Sequence, residues 1–226
     1  MKVRTLLGAM VTILLLGAAA YLSGCATMGI GKPETEKATA KVQNVETDMK
    51  QTLAQVDRTQ ASLDSLIQPG QADVRKKFDA YSADVTKIEK MSKQLEKDQN
   101  SMQKQQKDYL AKWEKKESTY TDPELKRASD QRRAALINAY NEIPKANAGF
   151  REALNSYLSK IKQIQTQLSL DLTAKGIEAV NPAARKALSE GERVKDTAEP
   201  VITAMDRAKD EMAREGGRGA AAGGGQ

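Results

Sequence analysis

The apolar residues of this 226-residue chain form one uninterrupted run followed by a series of periodic stripes. The run covers residues 5–22 and contains no charged residue. From Glu34 onward, apolar residues recur mostly at three- and four-residue steps, which place them on one face of an α-helix. Breaks in this rhythm divide the rest of the chain into four segments, so the pattern predicts four long helices.

The first two helices are predicted between Glu34 and Tyr120, separated by the turn signal Pro69-Gly70. The stripe of the first helix consists of Val42, Val45, Met49, Leu53, Val56, Leu63 and Ile67. The second helix, from about Ala72, carries two rows at seven-residue steps, which predict a coiled-coil seam. One row is Tyr81, Ile88, Leu95, Met102 and Tyr109; the other is Phe78, Val85, Ser92, Gln99, Gln106, Trp113 and Tyr120. The polar members of the second row either fix the register or mark a stretch with few partners.

The third helix is predicted to begin at Asp122-Pro123, where Asp suits the capping position and Pro the first helical position. Its seam has one gap, at Asn147, and Pro144 predicts a bend rather than an end. The seam residues are Leu136, Tyr140, Ile143, Phe150, Leu154, Tyr157, Ile161, Ile164, Leu168 and Leu172.

The fourth helix is predicted from composition signals at its start and from a stripe of small residues. Gly176 is interpreted as the end of the third helix, and Asn181-Pro182 as the cap and first turn of the fourth. Pro200 is a candidate kink, and residues 215–226 are predicted to be a disordered Gly/Ala-rich tail. The stripe consists of Ala184, Ala187, Gly191, Val194, Ala198, Val201, Met205, Ala208 and Met212.

The predicted fold is therefore all-α. Short connections between consecutive helices favour antiparallel neighbours, and a single apolar stripe on each helix must be buried against another helix. We expect residues 34–214 to form an elongated antiparallel helical bundle, or coiled coil, of about four long helices. The expected lengths are roughly 35, 50, 50 and 33 residues.

The N-terminal run has the features of a secretory signal peptide. Lys2 and Arg4 precede the apolar residues, and the run leads into Leu22-Ser23-Gly24-Cys25, which contains the only cysteine of the chain. Residues 1–24 are interpreted as the signal peptide and residues 25–33 as a tether. Two alternatives stay open: an uncleaved membrane anchor, because 18 apolar residues reach the lower limit for a spanning helix, and a chance cysteine in an ordinary signal peptide.

The order Leu22-Ser23-Gly24-Cys25 resembles the lipobox of bacterial lipoproteins. The resemblance implies that the Cys25 thiol receives a diacylglycerol, that cleavage falls between Gly24 and Cys25, and that the new amino group is acylated with a fatty acid such as palmitate. Two or three acyl chains suffice for a stable anchor. Because Ala26 stands where an aspartate commonly retains such proteins in the inner membrane, the resemblance also implies the outer membrane, facing the periplasm.

A second resemblance covers about two-thirds of the mature chain. The segments Tyr109–Glu114 and Tyr120–Ser129, followed later by Asp171–Ile177, resemble an uncharacterised domain-of-unknown-function family of helical envelope lipoproteins. The sequence departs from that family's pattern at Lys126, Asp171, Thr173 and Gly176. The resemblance implies a helical envelope protein and brings no activity with it.

Composition excludes several kinds of chemistry. The chain has no histidine, the commonest general base and transition-metal ligand. Its 36 Lys and Arg and 30 Asp and Glu are interleaved, which is typical of solvated helices rather than of a nucleic-acid interface. We therefore expect no catalytic residues, no metal, no cofactor and no nucleic-acid partner.

One aromatic cluster stands out at the junction of the second and third helices. Tyr109, Trp113 and Tyr120, together with Arg127, are candidate contacts for a protein partner, although packing of the hairpin end is the favoured interpretation because the rings lie in the seam rows. A basic cluster begins the third helix and is expected to be salt-bridged by nearby glutamates. It comprises Lys126, Arg127, Arg132 and Arg133.

These observations favour a non-catalytic, lipid-anchored protein of the cell envelope. The expected role is a structural or partner-docking helical rod in the periplasm, with an envelope protein as its partner. The alternative function is a membrane-surface protein or a protein that binds peptidoglycan without a covalent link.

Overall fold

The computed structural model describes residues 32–70 and 72–221, with side chains over residues 34–70 and 72–214. In this part of the chain the secondary structure consists of four α-helices and contains no strand. They are α1 (Lys32–Ile67), α2 (Val74–Glu117), α3 (Pro123–Leu170) and α4 (Ala174–Ala221). The predicted all-α class and the four helices are confirmed.

The four helices form a closed antiparallel bundle. α1 contacts α2 and α4, and α3 contacts the same two helices, so that each helix packs against two neighbours. Thr35 on α1 lies beside Tyr109 on α2, and Thr39 lies beside Met212 on α4. The start of α1, the end of α2 and the C-terminal part of α4 are therefore at one end of the bundle, and the connection between α2 and α3 is at that end too.

The predicted seams form the core. The apolar residues of both α2 rows as far as Tyr109, the α3 seam from Leu136 to Leu168 and the whole α4 stripe are buried. Leu53 and Leu172 are partly buried against the core, as is Trp113. Burial of one stripe on each of four helices explains why these segments fold together, since isolated amphipathic helices are marginal in water.

The first two helix boundaries follow the sequence signals. α1 ends at Ile67, and Gly70 adopts a φ of 66° in the turn that follows, a conformation that glycine takes without strain. Asp122 caps α3, since its Oδ1 accepts hydrogen bonds from the amides of Glu124 (2.8 Å) and Leu125 (3.3 Å). α3 continues through Pro144, as predicted.

The predicted junction between α3 and α4 is wrong. α3 ends at Leu170, and α4 begins at Ala174, so Gly176 lies in the first turn of α4 rather than at the end of α3. The hydroxyl of Thr173 accepts a hydrogen bond from the Gly176 amide (3.2 Å), which is N-cap geometry. A Cβ at position 176 would lie 2.2 Å from the Asp171 carbonyl oxygen. The glycine is therefore explained by the close approach of the connection.

The interpretation of Asn181-Pro182 as a helix start is also wrong, because both residues lie inside α4. The Asn181 side chain donates a hydrogen bond to the carbonyl of Ile67 (3.4 Å), the last residue of α1, and accepts one from Arg185 Nε (2.9 Å). Asn181 thus serves the C-terminal end of another helix, which needs external donors. α4 starts eight residues earlier than predicted and also extends to Ala221, so it has 48 residues instead of about 33.

Several predictions fall at or beyond the ends of the described chain. The signal peptide (1–24), Cys25 and most of the tether (25–33) lie outside the described residues, although Lys32 and Pro33 already belong to α1. α4 reaches Ala221 and so extends past the predicted boundary at residue 214. None of the four helices combines the length and apolar character needed to cross a membrane.

Candidate functional site at the α2–α3 hairpin tip

The candidate contact residues lie at the α2–α3 end of the bundle. The hydroxyls of Thr35 and Tyr109 are 3.0 Å apart, and the Lys112 ammonium lies 3.0 Å from a carboxylate oxygen of Glu34. From Tyr109 to its end at Glu117, α2 continues for about 12 Å, whereas α1 extends only about 5 Å from Thr35 back to Lys32. The hairpin therefore projects beyond the start of α1. We refer to residues 113–127 as the hairpin tip.

Trp113 is held by contacts within the hairpin. Its indole Nε1 donates a hydrogen bond to the Ser129 hydroxyl (2.8 Å), and its ring meets the Tyr109 ring edge-on, with the centroids 5.9 Å apart. The Arg132 guanidinium lies 5.9 Å from the centroid of the Trp113 ring, within the range of a cation–π interaction. These contacts join α2 to α3 and agree with the packing interpretation for Tyr109 and Trp113.

Tyr120 does not join this packed cluster. Its side chain is 44% exposed, in the turn between α2 and α3, and Leu125 in the first turn of α3 is 61% exposed. Arg127 is also exposed. Of the four predicted contact residues, Tyr109 and Trp113 are therefore brought together, whereas Tyr120 and Arg127 face solvent. Leu125 is an exposed apolar residue that sequence reasoning did not single out.

The basic cluster at the start of α3 is divided into two parts. Arg133 lies 3.0 Å from the buried carboxylate of Glu117 and 3.1 Å from Asp130, and Arg132 lies over Trp113. These acidic neighbours raise the pKa of the Arg133 guanidinium, and the largest cause is the hydrogen bond that Arg133 donates to Asp130. Lys126 and Arg127, in contrast, make no ion pair within the described part of the chain. Of the four cations predicted to be salt-bridged, only Arg133 forms ion pairs within the described part of the chain.

A second group of polar residues lies inside the bundle. Gln99 on α2 and Asn147 on α3 are only 6% and 7% exposed, and their amides exchange two hydrogen bonds of 2.9 and 3.0 Å. The weak point of the α2 seam and the gap in the α3 seam therefore face each other. Gln106 is also buried, and its amide nitrogen has no hydrogen-bond partner in the described part of the structure.

Carboxylates at the edge of the core show opposite electrostatic behaviour. Desolvation raises the pKa of Asp48 on α1, and the nearby carboxylate of Asp98 on α2 raises it further. Burial also acts on Glu46, but ion pairs with Lys209 and Lys50 outweigh it and lower the pKa of this carboxyl group. The ion pair between Lys209 and Glu46 connects α4 to α1. The like-charged pair Asp48 and Asp98 is a repulsive contact between α1 and α2.

The described residues show no assembled metal site. No cluster of three or more Asp, Glu, Cys or His side chains within residues 34–70 and 72–214 is arranged to hold a metal ion. An open groove lies between α2 and α3 and is lined by polar residues such as Glu89, Ser92 and Ser159. Cys25 and the predicted cleavage site at Gly24 lie outside this part of the chain.

Comparison with known proteins gives one match. Residues 21–213 match the family described as "Protein of unknown function (DUF2959)". No curated protein and no solved structure matches the chain. The match includes the hairpin tip and all of the predicted seams. Because it spans well over half of the sequence, the chain belongs to this family of proteins of unknown function, DUF2959.

Proposed function

We propose that this protein is a lipid-anchored component of a bacterial cell envelope that acts without catalysis, as a structural or partner-docking helical bundle. The observation that carries the proposal is the position of Leu22-Ser23-Gly24-Cys25 at the end of an uncharged apolar run. A signal peptide followed by this motif is the arrangement that directs a cysteine to lipid attachment. The outer membrane, facing the periplasm, is the proposed location because Ala26 follows the cysteine.

The arrangement of the bundle supports a structural role. Its apolar stripes are buried against each other, and ion pairs connect neighbouring helices on the outside. Lys195 on α4 lies 2.9 Å from Asp57 on α1, and Arg151 on α3 lies 3.0 Å from Glu96 on α2. These contacts explain many of the charged residues as supports of the helical bundle. Tyr120 and Leu125 in the hairpin tip are exposed apolar residues that these contacts do not explain.

The anchor is tested by metabolic labelling of the full chain with a radioactive fatty acid. We expect the wild-type protein to incorporate label and to be cleaved before Cys25, and Cys25→Ser to be neither labelled nor cleaved. Ser23→Ala is the matched control, since it changes the motif but keeps the thiol, and it should still be labelled. An unlabelled wild-type protein, or a Cys25→Ser variant that is still processed and membrane-bound, would overturn the proposal.

The partner is tested by crosslinking in the intact envelope followed by mass spectrometry. A docking role predicts one or a few envelope proteins linked to the bundle in wild-type cells. If the partner docks at the hairpin tip, Tyr120→Ala and Arg127→Ala should reduce its crosslink. Crosslinks that are unchanged in both variants would place the docking surface elsewhere.

A further inference from the structure

The hairpin tip presents apolar and cationic side chains together at the end of the bundle from which α1 starts. Tyr120 and Leu125 are two of the three large apolar side chains that are exposed among the described residues. Around them lie the exposed cations Lys115, Lys126 and Arg127, none of which makes an ion pair in this region. An aromatic ring and a leucine flanked by cations form the combination that binds at a lipid headgroup layer.

The acidic residues near the tip are mostly committed to other contacts. Asp122 caps α3 by accepting hydrogen bonds from two backbone amides, and Glu117 is buried beside Arg133. Glu114 also lies near Arg133, at 3.7 Å. Glu124 is the remaining exposed carboxylate in the first turn of α3. The exposed cations of the tip are Lys115, Lys116, Lys126 and Arg127, and its exposed carboxylates are Glu114, Asp122 and Glu124. The exposed surface of the tip therefore carries one more positive than negative charge, which complements anionic lipids.

The length of chain before α1 sets how far the tip can lie from an anchored cysteine. Lys32, the first residue of α1, is seven residues after Cys25, and seven extended residues span at most about 25 Å. The hairpin projects roughly 8 Å beyond the start of α1 in the same direction. A lipid on Cys25 would thus keep this end of the bundle near the bilayer, within reach of the tip.

From this placement we infer that the hairpin tip is a second membrane contact, which inserts Tyr120 and Leu125 into the headgroup region of an anionic bilayer while Lys126 and Arg127 bind lipid phosphates. The inference rests on the proposed lipid anchor. It assigns the tip to lipid rather than to a protein partner. The bundle then stands with its α2–α3 end on the membrane and its α1–α2 and α3–α4 connections away from it.

The opposite end of the bundle supplies a matched control. Leu170 at the end of α3 is 82% exposed, more than Leu125 at the start of the same helix. In the acylated protein Cys25 has no free thiol, so a cysteine introduced at Leu125 or at Leu170 can be labelled selectively with an environment-sensitive fluorophore. The labelled full-length proteins are reconstituted into vesicles of equal parts phosphatidylglycerol and phosphatidylcholine, with or without a lipid-borne quencher.

We expect the probe on Leu125→Cys to shift to the blue and to be quenched at least twofold by the lipid-borne quencher. The probe on Leu170→Cys should keep aqueous emission and remain unquenched. Replacing phosphatidylglycerol by phosphatidylcholine, or combining Lys126→Glu with Arg127→Glu, should remove at least half of the quenching at Leu125. Circular dichroism of each variant checks that the helices are intact.

Flotation of the same vesicles separates the two possible failures. If the protein floats but the Leu125 probe remains aqueous, the tip is not a membrane contact and the anchor stands. Equal quenching at Leu125 and Leu170 would mean that the bundle lies flat, which overturns the end-on contact. If the protein does not float, both the anchor and the membrane contact are wrong.

Discussion

The pairing of α3 with α4 differs from the pairing of α2 with α3, although α3 takes part in both. α3 and α4 make the most extensive helix contact of the bundle, whereas α2 and α3 make the least extensive one. The α4 stripe contains alanines at positions 184, 187, 198 and 208 and a glycine at 191, all buried. Small side chains let helix axes approach closely, so this stripe favours extensive contact of α4 with its neighbours.

The α2–α3 pairing depends on directed polar contacts instead. The amides of Gln99 and Asn147 bridge the two helices inside the bundle, and the Tyr81 hydroxyl donates a hydrogen bond to the Ile161 carbonyl (2.7 Å). Buried polar pairs contribute little net stability when satisfied but penalise any register that separates them. Close packing against small side chains therefore sets the α3–α4 pairing, whereas hydrogen bonding sets the register of α2 against α3.

The largest expected effect comes from Ile161→Asp, which places a carboxylate in the core to which both pairings contribute. Ile161 is fully buried, so the introduced carboxylate would have no water and no partner charge. We expect a loss on the order of 3–5 kcal/mol in the free energy of unfolding, measured by chemical denaturation. Gln163→Asp on the exposed side of the same helix is the control and should change stability little. An unchanged melt for Ile161→Asp would contradict the assignment of the seam.

Ala198→Leu tests the claim that α4 packs through small residues. Ala198 has no exposed surface, and a leucine there would force apart α4 and its neighbours. We expect a loss of about 1–3 kcal/mol in the free energy of unfolding, as in other overpacked cores. Glu199→Leu, one residue away on the exposed side of α4, should be nearly neutral. Equal stability of the two variants would show that α4 is not closely packed.

Single and double substitutions of the Gln99–Asn147 pair should have different effects on the free energy of unfolding. Asn147→Ala leaves the buried Gln99 amide without its partner and should cost about 1–3 kcal/mol of unfolding free energy. Replacing both residues by leucine should restore or exceed wild-type stability, because no polar group stays unsatisfied. Denaturant melts of Gln99→Leu, Asn147→Leu and the double variant form a cycle. A destabilised double variant would mean that the polar pair contributes net stability.

The sequence predicts the stripes of this fold better than its boundaries. Heptad spacing identified the buried rows because burial of one face per helix is a local property of the pattern. Gly176 and Asn181 do not mark helix ends, because Gly176 permits a close approach to Asp171 in the preceding connection and Asn181 bonds to the end of α1. The local pattern indicates a helix boundary at both residues, so it predicts a start of α4 that is several residues too late.

The candidate site was predictable only in part for the same reason. The aromatic residues at 109, 113 and 120 were visible in the sequence, but the separation of exposed Tyr120 from packed Trp113 depends on where α2 ends. In the sequence, Gln99 and Asn147 are each visible as a polar residue at a position where the seam is otherwise apolar. Their pairing requires the register between two helices, and neither periodicity nor composition contains that register.

The smallest expected effect comes from Asp48→Asn at the α1–α2 pairing. The extent of this helix contact is intermediate between those of the α3–α4 and α2–α3 pairings. Desolvation and the neighbouring Asp98 raise the pKa of Asp48, so its ionised form is disfavoured in the folded protein. Ionisation of Asp48 therefore lowers stability as the pH rises through its folded-state pKa, and the destabilisation is absent at lower pH, where the group is protonated. Asp48→Asn should stabilise the protein at neutral pH by about 0.2–0.5 kcal/mol, the scale of a like-charge pair on a helix surface. The gain should shrink toward acidic pH in denaturant melts, because wild-type Asp48 is then neutral as well. A gain that does not change with pH would exclude the titration of Asp48 as its cause.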